Sequence, residues 1–322
     1  MKSKCILTAA ILAAAALPAA HAQSYPAKPV RIIVPLVPGG NLDIVARAMA
    51  QRLGEGLGQQ VIVENRPGAS SLVGTQLVAK SAPDGYTLLA MANTFASVPS
   101  VIANPGYDPI KDFTGVTMTC RVAQVLVVNP ALPAKSVKEL IGLARSRPGE
   151  LSYASSGNGS TGHFAAEHFI QRAGLKMLHV PYKGNAQALV DIMAGQVMMM
   201  FDQVSTSAPN VKAGKLRAIA VTTRARSSIF PDLPTIDEAG LKGYEAVTYN
   251  GLLAPAGTPR EAAARVQSEV ARAVAVPAFR TSFLERGVEL IASASPEEFT
   301  SYVRNDVAAS AKLAKNAGIK AQ

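Results

Sequence analysis

The amino-acid sequence predicts an α/β fold, with strands and helices alternating along the chain. Short apolar runs such as Val30-Arg-Ile-Ile-Val-Pro-Leu36 are of strand length and end in glycine-rich turns. After those turns apolar residues recur at helical spacing, as in Leu42, Val45, Met49 and Leu53. The chain has 322 residues, 48% hydrophobic and 17% charged, which is enough apolar material for a large core or two ordinary domains.

The elements follow in order. Val30 to Leu36 is a strand, Pro38-Gly39-Gly40-Asn41 a turn, and the helix with Leu42 follows. Gln60 to Val63 is a second strand. Asp84-Gly85 turns into the strand Tyr86 to Met91. Gln124 to Val128 is a further strand, and Ser136-Val-Lys-Glu139 is a capping box that starts a helix. Leu151 to Ser155 is a strand, followed by a glycine-rich loop from Ser156 to Gly162 and a helix beginning near His163. Strands at 177–180, 197–201 and 216–221 complete this second α/β stretch, and no internal repeat is visible. Thr258-Pro-Arg-Glu261 and Ser295-Pro-Glu-Glu298 read as capping boxes with Pro at the first helical position, so the tail is expected to be helical.

The first 22 residues form a separate unit. Lys2 and Lys4 precede an apolar run from Ile6 to Leu17, and Ala20-His21-Ala22 is a small-x-small cleavage site. The run is short for a bilayer span, so it reads as a secretory signal peptide cleaved after Ala22 rather than as an anchor. Cleavage removes Cys5 and leaves Cys120 alone, which excludes an intramolecular disulfide. It also lowers the formal charge from +10 to +8. The basic residues are scattered, Trp is absent and aromatics make up 5%, which argues against nucleic-acid binding. No later segment is long and apolar enough for membrane insertion, and a periplasmic location is expected.

The loops at Pro38–Asn41 and Ser156–Gly162 share one plan. Each lies after a strand and before a helix, where unpaired N–H groups and the helix dipole attract anions. Glycine allows close approach to the backbone. Two such loops, one per lobe, are expected to clamp a carboxylate, and Gly40→Val or Gly159→Val to weaken binding without unfolding the chain. Gly157-Asn-Gly-Ser-Thr-Gly162 also matches the dinucleotide fingerprint G-x-G-x-x-G. That fingerprint expects an acid about 20 residues on, at the end of the next strand. Met177-Leu-His-Val-Pro181 has none there, and no cofactor is expected. Asn158 spoils G-x-S-x-G around Ser160, and His163 and His168 are not at zinc-ligand spacing, so no metal site is expected. A hydrolase using Ser160 and His163 is the enzymatic alternative. Asp43 suits the first turn of its helix electrostatically, or orders a water or meets an amine; Asp202 ends a strand at the sheet edge that faces ligand.

From Tyr25 to about Phe299 the chain resembles the extracytoplasmic receptors of tripartite tricarboxylate transporters, the Bug or TctC family. The resemblance is carried by Tyr25-Pro-Ala-Lys-Pro-Val-Arg-Ile-Ile-Val-Pro35, Pro38-Gly-Gly-Asn-Leu-Asp43, Val63-Glu-Asn-Arg-Pro-Gly-Ala69 and Pro83-Asp-Gly-Tyr-Thr-Leu-Leu89. It continues through His179-Val-Pro-Tyr-Lys-Gly184, Pro231-Asp-Leu-Pro-Thr235 and Gly251-Leu-Leu-Ala-Pro-Ala-Gly-Thr-Pro259. It implies a two-lobed, type II-like periplasmic binding protein fold, each lobe a mixed β-sheet flanked by helices, with ligand in the interlobe cleft. The implied lobes are 23–123 plus 250–322, and 124–249. It implies a non-enzymatic, monomeric solute-binding protein that closes on a di- or tricarboxylate, an amino acid or an aromatic acid and delivers it to transporter membrane subunits. A sensor for a membrane kinase needs the same pocket. Carried over, Gly39, Gly40, Asn41 and Asp43 form one jaw and Ser156, Gly159, Ser160, Thr161 and His163 the other. Asn93 and Thr94 match a third lining loop, and Asp202 an acid facing the distal end of the ligand. Leu36 and Tyr249 depart from the family's frequent aromatic and Trp, so no relative's ligand is copied.

Overall fold

The computed structural model describes residues 25–319 except 70, together with residue 321. The expected leader, 1–22 with its cleavage point after Ala22, lies outside the described residues. No helix among the described residues is long and apolar enough to cross a membrane.

The first α/β stretch builds one sheet. Strands β1 (Val30–Val34), β2 (Val61–Asn65) and β3 (Thr87–Ala92) are parallel, in the order β2-β1-β3. Helix α1 (Asn41–Leu57) joins β1 to β2 and α2 (Leu72–Ala79) joins β2 to β3; a short helix α3 (Thr94–Ser97) follows β3. Alternation along β1 sends Ile32 to one core and Ile33 to the other. That two-sided burial is why the strand reads as a continuous apolar run. Val45, Met49 and Leu53 of α1 fill the first core, and Gly58 ends the helix in the left-handed conformation.

Strand β4 (Phe113–Val128) is 16 residues long. Its first part pairs antiparallel with β9 (Val247–Pro255), up to the Ala123–Val247 pair. Its last part, from Gln124, belongs to the second sheet and pairs with β7 (Met199–Gln203) and β8 (Arg217–Val221). The second sheet adds β5 (Ser152–Ser155) and β6 (Leu178–Pro181), parallel to each other, with β5 also parallel to β7. Helices α4 (Val137–Ser146), α5 (Thr161–Ala173), α6 (Asn185–Met193) and α7 (Val204–Lys212) flank it. Both sheets are therefore mixed, and the molecule is two-lobed. The apolar-run criterion finds only the 124–128 end of β4, because Thr114, Gly115, Thr117, Thr119 and Arg121 interrupt the first part.

The tail returns to the first sheet. Helix α8 (Arg260–Ala275) packs on α1 through Val266 and Val270, α9 (Pro277–Leu284) leads to β10 (Val288–Leu290) on β4, and α10 (Pro296–Asn316) covers the opposite face with Phe299 and Val303. Ser295 caps α10 by accepting from the Glu298 amide, and Pro296 is its first residue. The expected Thr258 cap is not formed. Its hydroxyl donates to the Pro255 carbonyl, and Pro259 itself occupies the cap position of α8. The Thr258 side chain thus closes the preceding turn instead of serving the helix.

Helix α10 seats on β9 at Gly251. A Cβ there would meet the Phe299 ring and lie 2.9 Å from the Thr117 carbonyl oxygen. Gly251→Ala is therefore expected to destabilise the chain by about 1–3 kcal/mol, read as a lower urea midpoint with an unchanged slope.

Candidate functional site

The two glycine loops are built alike. Gly39 has φ +88° and its N–H donates to the Asp43 carboxylate at 2.9 Å. Gly159 has φ +78° and its N–H donates to His163 Nδ1 at 3.2 Å. In each, a left-handed glycine, unstrained because it has no Cβ, gives its amide to the side chain four residues on, in the first turn of the following helix. One acceptor is anionic and the other neutral.

Asp43 is 3% exposed and also accepts from Arg47 and from Asn65 Nδ2. Burial raises its pKa, but the bonds from Arg47, Gly39 and Asn65 together bring it below the usual carboxylate range. It stays ionised and fixes the loop. Gly40 and Gly39 are exposed, and Asn41 hydrogen-bonds Cys120 from the start of α1. Burial pushes the Cys120 thiol up to about 12, so it is no nucleophile.

His163 is 3% exposed and stacks on His179 with ring centroids 4.0 Å apart. Burial, and next the neighbouring His179, push it down to about 3. It is a neutral acceptor, held by Gly159 rather than by a hydroxyl. Ser160 Oγ accepts the His163 backbone N–H as the cap of α5. The Ser160–His163 base pair that a hydrolase requires is thus not assembled. Ser156 is half-buried beside this loop.

Asp202 lies in β7, 1% exposed, and accepts from Asn185 Nδ2, Thr206 Oγ1 and Ser207 Oγ. Burial raises its pKa against those bonds and a fourth from the Gln203 amide. Its carboxylate is satisfied within the second lobe.

The third loop ties the lobes together. The Asn93 amide donates to Tyr249 O and its Nδ2 to Val247 O, on β9. Thr94 lines a small crevice with Leu36, Leu42 and Met91. Ser97, which sequence reasoning missed, donates its Oγ to the Gly159 carbonyl at 2.7 Å and is buried. This bond brings the loop after β3 against the loop after β5.

Below these loops run the crossing strands. Cys120 and Asn250 are register partners, as are Arg121 and Tyr249. Cys120 and Asn41 are thus on one face with Asn250, whose side chain also approaches the Cys120 thiol. Beside these strands lies a cavity of about 810 Å³, lined by Arg121 and Tyr249 from the other face, by Gln124, which bonds Thr248 on the Asn250 face, and by α5 and α10. Of the twelve expected site residues, Asn93 and Thr161 line that cavity. Arg121 and Gln124 carry the only long polar side chains of β4, and that is the signal that could have marked them.

Tyr249 donates to Asp306 Oδ2 at 2.7 Å in the cavity wall. Burial pushes the Asp306 carboxyl up to about 6. The folded state then holds its proton more tightly than the unfolded chain, so this contribution to stability is full below about pH 4 and is lost as pH rises through 6. Asp306→Asn is expected to stabilise the protein at pH 7 relative to pH 4 by up to roughly 3 kcal/mol, measured as wild-type and variant urea midpoints across that range.

Comparison with known proteins agrees with this architecture. The family described as "Tripartite tricarboxylate transporter family receptor" matches residues 45–319. Rpa4515 of R. palustris, solved with adipate, is 38% identical and superposes with a TM-score of 0.80 over 92% of this chain and 100% of its own. The periplasmic binding protein BugD is 35% identical, with a TM-score of 0.76 over 92% of this chain and 100% of its own. MatC from Rhodopseudomonas palustris, solved with malate, is 28% identical, with a TM-score of 0.75 over 90% of this chain and 99% of its own. The chain therefore belongs to the tripartite tricarboxylate transporter receptor family of periplasmic solute-binding proteins.

Proposed function

We propose that the protein captures a small carboxylate in the periplasm, between the Gly39–Asp43 and Ser156–His163 loops, and delivers it to the membrane subunits of a tripartite transporter. The observation that carries this reading is the paired construction of the two loops. Each precedes a long helix at the carboxyl end of a parallel strand, each belongs to a different sheet, and each holds its glycine by the same four-residue amide contact. Helix N-termini in that position favour negative charge. Relatives solved with adipate and malate support a dicarboxylate.

In this reading residues 23–123 and 250–322 form one lobe and 124–249 the other. The lobes close about the strands near 123 and 249. Closure requires that ligand bind the closed state more tightly than the open one. In the same reading Thr94 and Asp202 belong to this cleft, Asp202 shaping its distal end through Asn185 and Thr206, and Asn93 stands between the cleft and the cavity beside it.

A thermal-shift screen of aliphatic dicarboxylates, adipate and malate included, is expected to raise the melting temperature without turnover. A Cβ added at Gly40 would meet only open space, and the φ there is ordinary. Gly40→Val is therefore expected to remain folded and to weaken that ligand at least about tenfold. Unchanged affinity by calorimetry would remove the clamp. Gly159→Val is not the clean variant the sequence suggests. Its Cβ would lie 2.7 Å from Val101 at a positive φ, so it also costs stability.

A further inference from the structure

Solute capture as proposed uses one face of the crossing strands. The opposite face carries Arg121 and Tyr249 and opens into the 810 Å³ cavity between α5 and α10. No residue of 36–43 or 156–160 lines that cavity. Its volume lies within the range of small-molecule sites.

The cavity has unmet polar capacity. Arg121 Nε, Asn93 Oδ1 and Gln124 Oε1 are buried with no hydrogen-bond partner, and all three residues line it. Gln124 is 1% exposed, so its amide oxygen has no recourse to bulk solvent. Buried polar groups in folded proteins are nearly always paired, and exceptions call for an occupant. One of these atoms is a cationic donor and two are acceptors. An occupant that reaches them matches them by presenting an acid to the Arg121 guanidinium and an N–H or O–H to the amide oxygens.

The surrounding charge agrees. Arg172 and Lys312 stand on the lining, and among the described residues neither they nor Arg121 form an ion pair. Of the two lining acids, Glu245 is held by Arg224 and Asp306 by the Tyr249 hydroxyl. Phe164, Tyr302 and Leu313 supply apolar wall. We propose that this cavity is a second binding site, adjoining the solute cleft at Asn93 and Thr161, for an aromatic organic anion bearing an N–H or O–H donor. Its acid pairs with Arg121, its donor meets Asn93 and Gln124, and its ring lies against Phe164 and Tyr302. Because α5 belongs to one sheet and α10 to the other, such an occupant touches both lobes.

The probe is 8-anilinonaphthalene-1-sulfonate, an aromatic sulfonate with one N–H, titrated into the full mature chain by fluorescence and calorimetry. One saturable site is expected. Arg121→Met is expected to weaken it at least about tenfold, the loss of one charge-assisted contact, and Gly40→Val to leave it unchanged. Should Arg121→Met fail to fold, Phe164→Ala combined with Lys312→Met is expected to weaken the probe several-fold. No saturable binding, or full affinity in the folded Arg121 variant (or in the double variant), overturns the inference. Loss of the probe in Gly40→Val with retention in Arg121→Met also overturns it, by placing the anion in the solute cleft, and leaves the clamp standing.

Discussion

The antiparallel pairing of β4 with β9 is the interaction on which the other parts of this molecule depend. β4 keeps register with β9 to the Ala123–Val247 pair and then, one residue later, takes β7 and β8 as partners. Register shifts between Gly115 and Thr117 and between Met118 and Cys120 interrupt the ladder. Such bulges raise local twist, which suits a strand that must leave one sheet and enter another. Every other part of the site is referred to this ladder. Asn41 reaches it through Cys120, and Asn93 through Tyr249 and Val247. The tail is fastened to it where Thr300 accepts the Gly115 amide and Phe299 covers Gly251. Two continuous strands, β4 and β9, join the two sheets at this point. Beside them the Ser97–Gly159 and Gln171–Leu313 bonds also cross from one sheet's elements to the other's.

Charge within the glycine loops is arranged to hold backbone, and this limits what the loops can offer a ligand. Asp43 consumes the Gly39 amide and sets a negative charge in the first turn of α1. His163 consumes the Gly159 amide but adds no charge, since burial keeps it neutral. In the proposed clamp the second loop would thus be the stronger anion receptor, and the first would supply shape and the neutral donor of Asn41. Asp202 is silenced in another way, by three side-chain donors of its own lobe. A protein with a formal charge of +10 attracts anions diffusely over its surface. Keeping its cleft acids internally paired prevents them from reversing that attraction at short range.

The α/β alternation was legible because its signals are local. The continuous apolar run of β1, helical spacing in α1 and the glycine turn between them can each be read within about twenty residues. The loops with Gly39 and Gly159 were legible for the same reason. Long-range facts were not. The first part of β4 looks like a polar stretch because Thr117 and Thr119 are buried by hydrogen bonding and packing from distant segments. Thr117 receives the Ser293 amide and donates to Met118 O. Thr258 fits the capping pattern, yet the carbonyl of Pro255 competes for the same hydroxyl and wins. The cavity brings together residues 93, 121, 164, 249 and 302, which no spacing rule relates.

Strand alternation gives the crossing a further property. Asn250 and Tyr249 are adjacent in sequence, so they point to opposite faces of β9. Asn250 shares its face with Asn41 and Cys120, where the proposed solute cleft lies; Tyr249 faces the cavity with Arg121 and Asp306. A rotation of one lobe about this strand cannot widen the first space without altering the second. Occupants of the two faces would therefore be linked through the hinge itself, with no chain of intermediate side chains required. Linkage of that kind is reciprocal: an anion that favours one lobe angle changes solute affinity by the same factor that solute changes its own. The sign depends on which angle brings α5 and α10 together, and the Thr161 side chain, half-buried at the start of α5 and in the cavity wall, sits where that angle is set.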